Sequence, residues 1–240
     1  MKRICLMVLR NILFAPIWFF KIWYYGRSDK YTEEQRFALL KHVTVHANKG
    51  GRVKIEVHGL ENLPKENGYI LFPNHQGLFD VLAFLEANPD PFTVVMKKEV
   101  QNVVLIKQVR IIMRAQAIDR EDPRNAMKVI RQMAEEVKQG RNYLIFSEGT
   151  RTKNPNRTQE FKGGSFKSAY YAKCPIVPAV LIDSYKAFDV SSIKPLTVQL
   201  HYLAPLYYDD YKDMKTNEVA ALVKQRIDAV ISENEYLPIK

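Results

Sequence analysis

Short runs rich in apolar and β-branched residues recur along the chain, and the stretches between them repeat their apolar positions every three or four residues. Val53 to His58, Tyr69 to Phe72, Phe92 to Met96, Gln116 to Asp119, Tyr143 to Phe146, Ile176 to Leu181 and Thr197 to Tyr202 read as strands. Val81 to Glu86, Gln101 to Arg114, Phe166 to Ala172 and Asn217 to Ser232 read as helices. Asp122 caps a further helix with Pro123 at its first position, running to Gln139 or close to it. Alternating strands and helices imply an α/β domain with its site at strand ends. Along Gln101 to Arg114, Lys107, Arg110 and Arg114 share one stripe among apolar residues. That pattern suits either a core helix with a solvated basic face or an interfacial helix that meets acyl chains and phosphates.

The first fifty residues follow a different pattern. Residues 4–25 are apolar except for Arg10, Asn11, Pro16 and Lys21. A bilayer span needs about 20 apolar residues, but two charges interrupt this run and Pro16 predicts a kink near its middle. Trp18, Phe19, Phe20, Trp23, Tyr24 and Tyr25 are aromatics of the kind that favour the headgroup level. Lys2, Arg3, Arg10, Lys21, Arg27 and Lys30 face a single acid, Asp29, in the same region. The pattern predicts a kinked helix lying in a membrane interface, peripheral or monotopic, drawn to anionic lipid, with a bilayer-spanning helix as the alternative. A secretory signal fits less well, because Arg10 interrupts the apolar run and no small-residue cleavage pattern follows. Thr32 with Gln35 forms a capping-box pattern for a second helix reaching Asn48, with Phe37, Leu40, Val43 and Ala47 on one face and Gly50 and Gly51 at its end. Residues 1–50 are therefore expected to form a membrane-associated helix pair, and residues 51–240 the α/β domain.

A formal charge of +10 calls for an anionic partner. Zinc-ligand spacing, an RNP-like motif and a basic zipper are all missing from the sequence, so nucleic acid is not the expected partner; an anionic membrane surface or a phosphorylated substrate is. Cys5 and Cys174 lie far apart and outside any C-x-x-C pattern, which argues against a disulfide framework or a metal site and for a reducing, cytosol-facing location. His42 and His46 are four apart on a predicted helix, a spacing a metal uses, but they lack a third ligand in sequence.

The candidate chemistry lies in Tyr69-Ile-Leu-Phe-Pro-Asn-His-Gln-Gly-Leu-Phe-Asp80, read as strand, short loop and helix start. Residues five apart in a regular helix point about 140° away from each other. His75 and Asp80 therefore meet only if His75 sits in the loop and Asp80 in the first helical turn. There the carboxylate would hold one imidazole nitrogen and leave the other as a base. An ordinary turn with a solvated His and an Asp favoured by the helix dipole has the same pattern.

Further stretches narrow this choice. Asn74, His75 and Asp80, then Arg120 in Ile118-Asp119-Arg120, then Phe146-Ser-Glu-Gly-Thr-Arg151, then Ile176-Val177-Pro178-Ala179 resemble, in order, the four motifs of the glycerolipid acyltransferases. Together they cover residues 69–181, nearly half the chain. Ser147 stands where that family usually has Pro, Arg114 where a Gly often precedes the second motif, and Gly77 where Ser is common in the lysophosphatidate-specific branch. The resemblance implies a mixed sheet flanked by helices, of the glycerol-3-phosphate acyltransferase type. It implies His75 and Asp80 as the catalytic pair, and Arg120, Glu148, Gly149, Thr150 and Arg151 as the acceptor-binding set. Arg120 and Arg151 would hold a phosphate, Glu148 would position the glycerol part, and Gly149 would let the backbone approach; Lys162, before Gly163 and Gly164, is a further phosphate candidate.

The expected reaction is acyl transfer from acyl-CoA or acyl carrier protein to 1-acyl-glycerol-3-phosphate at the cytoplasmic face of the cell membrane, with no cofactor and no metal. Backbone N–H groups near Gly77 are the expected oxyanion donors. No G-x-S-x-G elbow is present and neither cysteine has a neighbouring His in sequence, which favours direct attack over an acyl-enzyme. Glycerol-3-phosphate or another lysophospholipid is the alternative acceptor. An inactive membrane-binding module and a His-dependent phosphodiesterase are the readings from other classes.

Overall fold

The computed structural model describes residues 2–101, 104–119, 121–152, 154 and 156–234. Its centre is a seven-stranded sheet. The strands are β1 (Val53–His58), β2 (Ile70–Pro73), β3 (Thr93–Lys97), β4 (Gln116–Ile118), β5 (Tyr143–Leu144), β6 (Ile176–Ile182) and β7 (Leu196–Tyr202). Their order across the sheet is β1-β7-β6-β2-β5-β3-β4. The five strands from β6 to β4 run parallel; β7 is antiparallel to β6, and β1 is parallel to β7. The sheet is thus mixed, as expected.

Strand periodicity divides the core into two layers. Tyr69 and Leu71 pack into one cluster with Phe37 and Leu40 of α3 (Glu33–Gly50) and Ala83, Phe84 and Leu85 of α4 (Asp80–Ala87). Ile70 and Phe72 pack into the other with Val129, Met133 and Val137 of α6 (Pro123–Lys138), Ala169 of α7 (Lys167–Ala172), and Val219, Val223, Ile227 and Ile231 of α9 (Thr216–Asn234). Every residue of β6 is buried, the pattern of a strand covered on both faces.

Local chemistry sets several boundaries. Thr32 and Gln35 form the reciprocal capping box that the sequence predicts, and Asp122 accepts from the N–H groups of Arg124 and Asn125. Sheet pairing in β5 ends two residues short of Phe146, where the chain leaves for the loop that carries Glu148. A 3-10 turn at Lys98–Val100 precedes α5 (Val104–Ile112), and one at Gly163–Phe166 leads directly into α7, which starts one residue later than its apolar pattern suggests. A short helix, α8 (Tyr208–Tyr211), carries no periodicity to betray it.

The N-terminal stretch departs most from expectation. It is a corner between two helices, α1 (Lys2–Arg10) and α2 (Ala15–Arg27), bent by 93°. In a continuous helix the ring of Pro16 would clash with the carbonyl of Ile12 and one hydrogen bond would be lost. The chain instead breaks over 11–14 and Pro16 takes a place in the first turn of α2, where it needs no donor. Asn11 holds the corner: its Nδ2 donates to the Met7 carbonyl at 2.8 Å, and its own carbonyl accepts from Ala15 N–H at 2.8 Å. Residues 1–50 thus supply three helices rather than two.

Buried Arg3 seats α1, donating to the Gly51 carbonyl at 2.6 Å and the Lys194 carbonyl at 3.0 Å. Gly51 has an ordinary φ of −78°. What it provides is room, since a Cβ there would come 2.5 Å from Met7 Cε. Helices α2 and α5 also approach closely at Gly26, where a Cβ would lie 3.1 Å from Ile111 Cγ2 and from the Ile112 backbone nitrogen. Within α5 Ile112 is buried, Lys107 is exposed and Arg110 is half-buried, so the helix has a packed side and only part of its basic stripe meets solvent. Trp18 of α2 covers His42 and His46 of α3, with ring centroids 5.9 and 5.4 Å away.

One consequence concerns acid stability. His58 and His201 face each other across the β1/β7 register with rings 4.4 Å apart. Burial, with a smaller contribution from His58, pushes His201 down to about 4. The unfolded chain, with an ordinary imidazole near about 6.5, takes up the proton first as pH falls. Stability from this site is therefore complete above pH 6.5 and is lost progressively toward pH 4. Solvent screening of the half-buried ring leaves a loss of about 1–2 kcal/mol. Urea unfolding at pH 7 and pH 4.5 should show a pH-dependent loss smaller by that amount in His201→Gln than in the parent.

Candidate active site

Beyond Pro73 the side chain of Asn74 continues the β2/β6 ladder. Its Nδ2 donates to the Leu181 carbonyl at 2.9 Å and its Oδ1 accepts from Leu181 N–H at 2.7 Å. Only a side-chain amide offers a donor and an acceptor in this arrangement. The chain then turns out of the sheet, placing His75 beyond the carboxyl ends of β2, β5 and β6 and bringing Asp80 to the start of α4.

The two side chains meet, with Nδ1 of His75 2.8 Å from Oδ2 of Asp80. Asp80 is fully buried. Its Oδ2 also accepts from the N–H groups of Gln76 at 2.7 Å and Gly77 at 3.0 Å, and its Oδ1 accepts from Ser184 Oγ at 2.6 Å. Every partner approaches the carboxylate as a donor, so Nδ1 carries the hydrogen that Asp80 accepts, and in the neutral imidazole Nε2 is the nitrogen left with the lone pair. These contacts correct one expectation. The Gln76 and Gly77 N–H groups point at Asp80, so they are not oxyanion donors.

A second carboxylate holds the His75 backbone. Glu148 Oε1 accepts from His75 N–H at 2.8 Å, and Oε2 accepts from Gln159 N–H at 3.0 Å. Burial raises the Glu148 carboxyl above its ordinary range, while the two N–H donors pull it back. The His75 carbonyl accepts from Thr152 N–H at 2.8 Å, and Phe146 stacks on the imidazole with ring centroids 4.1 Å apart. The loop that supplies these contacts turns at Gly149, whose φ of +80° favours glycine. Thr150 is exposed and accepts from Gln159 Nε2 at its carbonyl, 3.2 Å away.

The structure thus gathers His75, Asp80, Glu148, Gly149, Thr150 and Arg151 around one loop pair. The Arg151 guanidinium is exposed, with Nη1 3.3 Å from Asp189 Oδ2. Lys162 is also exposed, and its main-chain N–H donates to the Ser147 carbonyl at 3.0 Å. Arg120 lies outside the described residues. Ser147 is fully buried and its hydroxyl has no hydrogen-bond partner among the described residues, so the position asks for no polar side chain. Among the described residues no group of three or more His, Cys, Asp or Glu is placed to hold a metal.

The family model described as Acyltransferase matches residues 54–182, a span that contains His75, Asp80, Glu148, Gly149, Thr150, Arg151 and Lys162. The chain belongs to the acyltransferase family. Among curated relatives, a 1-acyl-sn-glycerol-3-phosphate acyltransferase of Cocos nucifera is 31% identical over 153 residues, covering 62% of this chain and 49% of that one. One of the same name from Borreliella burgdorferi is 30% identical over 151 residues, covering 62% of this chain and 60% of that one. The chain therefore spans only part of the length of the curated relatives it matches. Its fold matches the crystal structure of the 1-acyl-sn-glycerophosphate (LPA) acyltransferase PlsC of Thermotoga maritima, with a TM-score of 0.78, 20% identity and coverage of 99% of this chain and 98% of that one.

In this member of the family, several residues that hold the site give no sign of it in the sequence. Ser184 reaches Asp80 from the turn after β6, and Gln76 ties that turn down, accepting from Ser184 N–H at 2.9 Å and donating to Asn156 Oδ1 at 2.7 Å. Ser184→Ala removes a charge-assisted donor worth about 1.5–3 kcal/mol. Steady-state kinetics should show kcat falling about 10-fold or more with KM for the acceptor little changed. A changed KM at constant kcat would instead place Ser184 in substrate binding.

Proposed function

We propose that this acyltransferase moves a fatty acyl group from a thioester, acyl-CoA or acyl carrier protein, to the sn-2 hydroxyl of 1-acyl-glycerol-3-phosphate, giving phosphatidic acid. The observation that carries the reading is the fixed His75–Asp80 pair, with Nδ1–H held by a fully buried carboxylate and Nε2 left as the base. The acceptor oxygen attacks the thioester carbonyl carbon as Nε2 takes the hydroxyl proton. The tetrahedral intermediate then collapses, the C–S bond breaks, and the imidazolium returns the proton to the leaving thiolate. Asp80 stabilises the imidazolium between these steps. No acyl-enzyme is required: Ser147 and Ser184 are fully buried, and burial pushes the Cys174 thiol up to about 12.

Arg151 and, by family resemblance, Arg120 hold the acceptor phosphate, Lys162 before the Gly163–Gly164 turn is a further cation, and the Glu148–Gly149–Thr150 turn sets the distance between phosphate and base. Helices α1 and α2 lie in the membrane interface at the cytoplasmic face. Leu9, Ile17, Phe20 and Trp23 are exposed on them, and Ile12, Leu13 and Phe14 on the corner between them; large exposed apolar patches mark such contacts. Among the described residues no single helix is long and apolar enough to cross a membrane, although the bent pair α1 and α2 passes that test together.

The test is acyl transfer by the protein in detergent micelles with labelled donor and a panel of acceptors. Transfer to 1-acyl-glycerol-3-phosphate supports the reading. Transfer only to glycerol-3-phosphate or a headgroup-bearing lysolipid would change the substrate, and binding to anionic vesicles without any transfer would leave a membrane-binding module.

A further inference from the structure

The proposed phosphate ligand already has an anion on it. Arg151 Nη1 lies 3.3 and 3.4 Å from the two carboxylate oxygens of Asp189. Asp189 stands beside the catalytic loop: a Cβ built on Gly77, two residues after His75, would lie 3.8 Å from its Oδ2. The carboxylate thus occupies the space between the Arg151 guanidinium and the loop that carries the base.

The segment that presents Asp189 is anchored. Phe188 sits edge-on against fully buried Phe79, with ring centroids 5.3 Å apart and planes at 90°. Asp189 N–H donates to the Tyr185 carbonyl at 2.9 Å, closing the turn that also delivers Ser184 to Asp80. The ion pair itself is open to water, with side-chain exposures of 58% for Arg151 and 47% for Asp189. An exposed pair of this length holds weakly and exchanges readily for a better anion. A phosphate monoester carries more charge and offers three oxygens to the guanidinium fork.

Resting on the reading of Arg151 as the acceptor's phosphate ligand, we propose that Asp189 is a specificity-determining counter-ion that the acceptor phosphate displaces from Arg151. Asp189 holds the guanidinium at the mouth of the site and sets a threshold of negative charge for the acceptor. A phosphate monoester outcompetes the carboxylate, and a neutral monoacylglycerol does not.

The test is steady-state kinetics with 1-acyl-glycerol-3-phosphate as varied acceptor and inorganic phosphate as competitive inhibitor, on the full chain in detergent micelles. In Asp189→Asn, the acceptor KM and the phosphate Ki are expected to fall about 2–5-fold, with the donor KM unchanged. In an Arg151→Ala background the same substitution is expected to change neither. An unchanged or higher acceptor KM in Asp189→Asn overturns the proposal, as does a gain that survives the loss of Arg151. If Arg151→Ala alone leaves the acceptor KM unchanged, the phosphate-ligand reading fails first and takes this proposal with it. If that variant raises KM while Asp189→Asn does nothing, only the role of Asp189 is lost.

Discussion

Replacing His75 with alanine is expected to lower kcat by about 10²–10⁴-fold, the usual contribution of a positioned general base, while the protein stays folded. The second half of that expectation comes from the hydrogen-bond inventory. Asp80 keeps three of its four donors, the N–H groups of Gln76 and Gly77 and the Ser184 hydroxyl, so no buried carboxylate is stranded. Glu148 and Thr152 bond the backbone at position 75 rather than the ring, and both contacts survive the substitution. What is lost is one hydrogen bond and the stack on Phe146, together about 1–2 kcal/mol. For a chain of this size that lowers Tm by about 2–8 °C. Single-turnover transfer from labelled donor, run beside a thermal melt, checks both. A variant with native-like melting that keeps a tenth or more of the parent rate would remove His75 from the role of base.

The sequence carries much of this because the relevant physics is local. The periodicity of β6 and β7, the capping box at Thr32 and Gln35, and the Asp122–Pro123 helix start each depend on neighbours within a few residues, and each appears in the structure. The same holds for His75 and Asp80. A spacing of five excludes a shared helix and forces the loop-plus-first-turn geometry that brings Nδ1 to 2.8 Å from Oδ2.

What stayed hidden depends on partners distant in the chain. Ser184 is 104 residues from Asp80, and Leu181 is 107 from Asn74. A lone serine after a buried strand looks the same whether or not it donates to a carboxylate. The Gln76 and Gly77 amides illustrate the converse: a glycine at a helix start reads as an anion site, yet the anion it meets is the protein's own Asp80. The corner at 11–14 was hidden for another reason. A proline marks that a helix must yield, but does not say whether the chain bends at the proline or breaks ahead of it.

Glu148→Gln separates two roles that the motif leaves merged. If Glu148 acted chiefly on the glycerol part of the acceptor, the uncharged isostere would mainly raise the acceptor KM. The geometry leads to a different result. Both carboxylate oxygens accept main-chain N–H groups, one from His75 and one from Gln159. A glutamine can present its oxygen to only one of them and must turn its NH₂ toward the other, setting donor against donor in a site where the side chain is 3% exposed. One N–H then loses its partner, at a cost of about 1–3 kcal/mol. If that donor is His75 N–H, the base shifts, and a displacement of about 1 Å is enough to lose about 10²-fold in rate. If it is Gln159 N–H, the loop bearing Thr150 and Arg151 loosens instead, since Gln159 also holds Thr150. The expected result is kcat lowered about 10²-fold with a smaller change in acceptor KM, accompanied by faster amide hydrogen exchange at position 75 or 159. Normal kcat with a raised acceptor KM and unchanged exchange would show that Glu148 meets the substrate and that the hold on His75 is incidental.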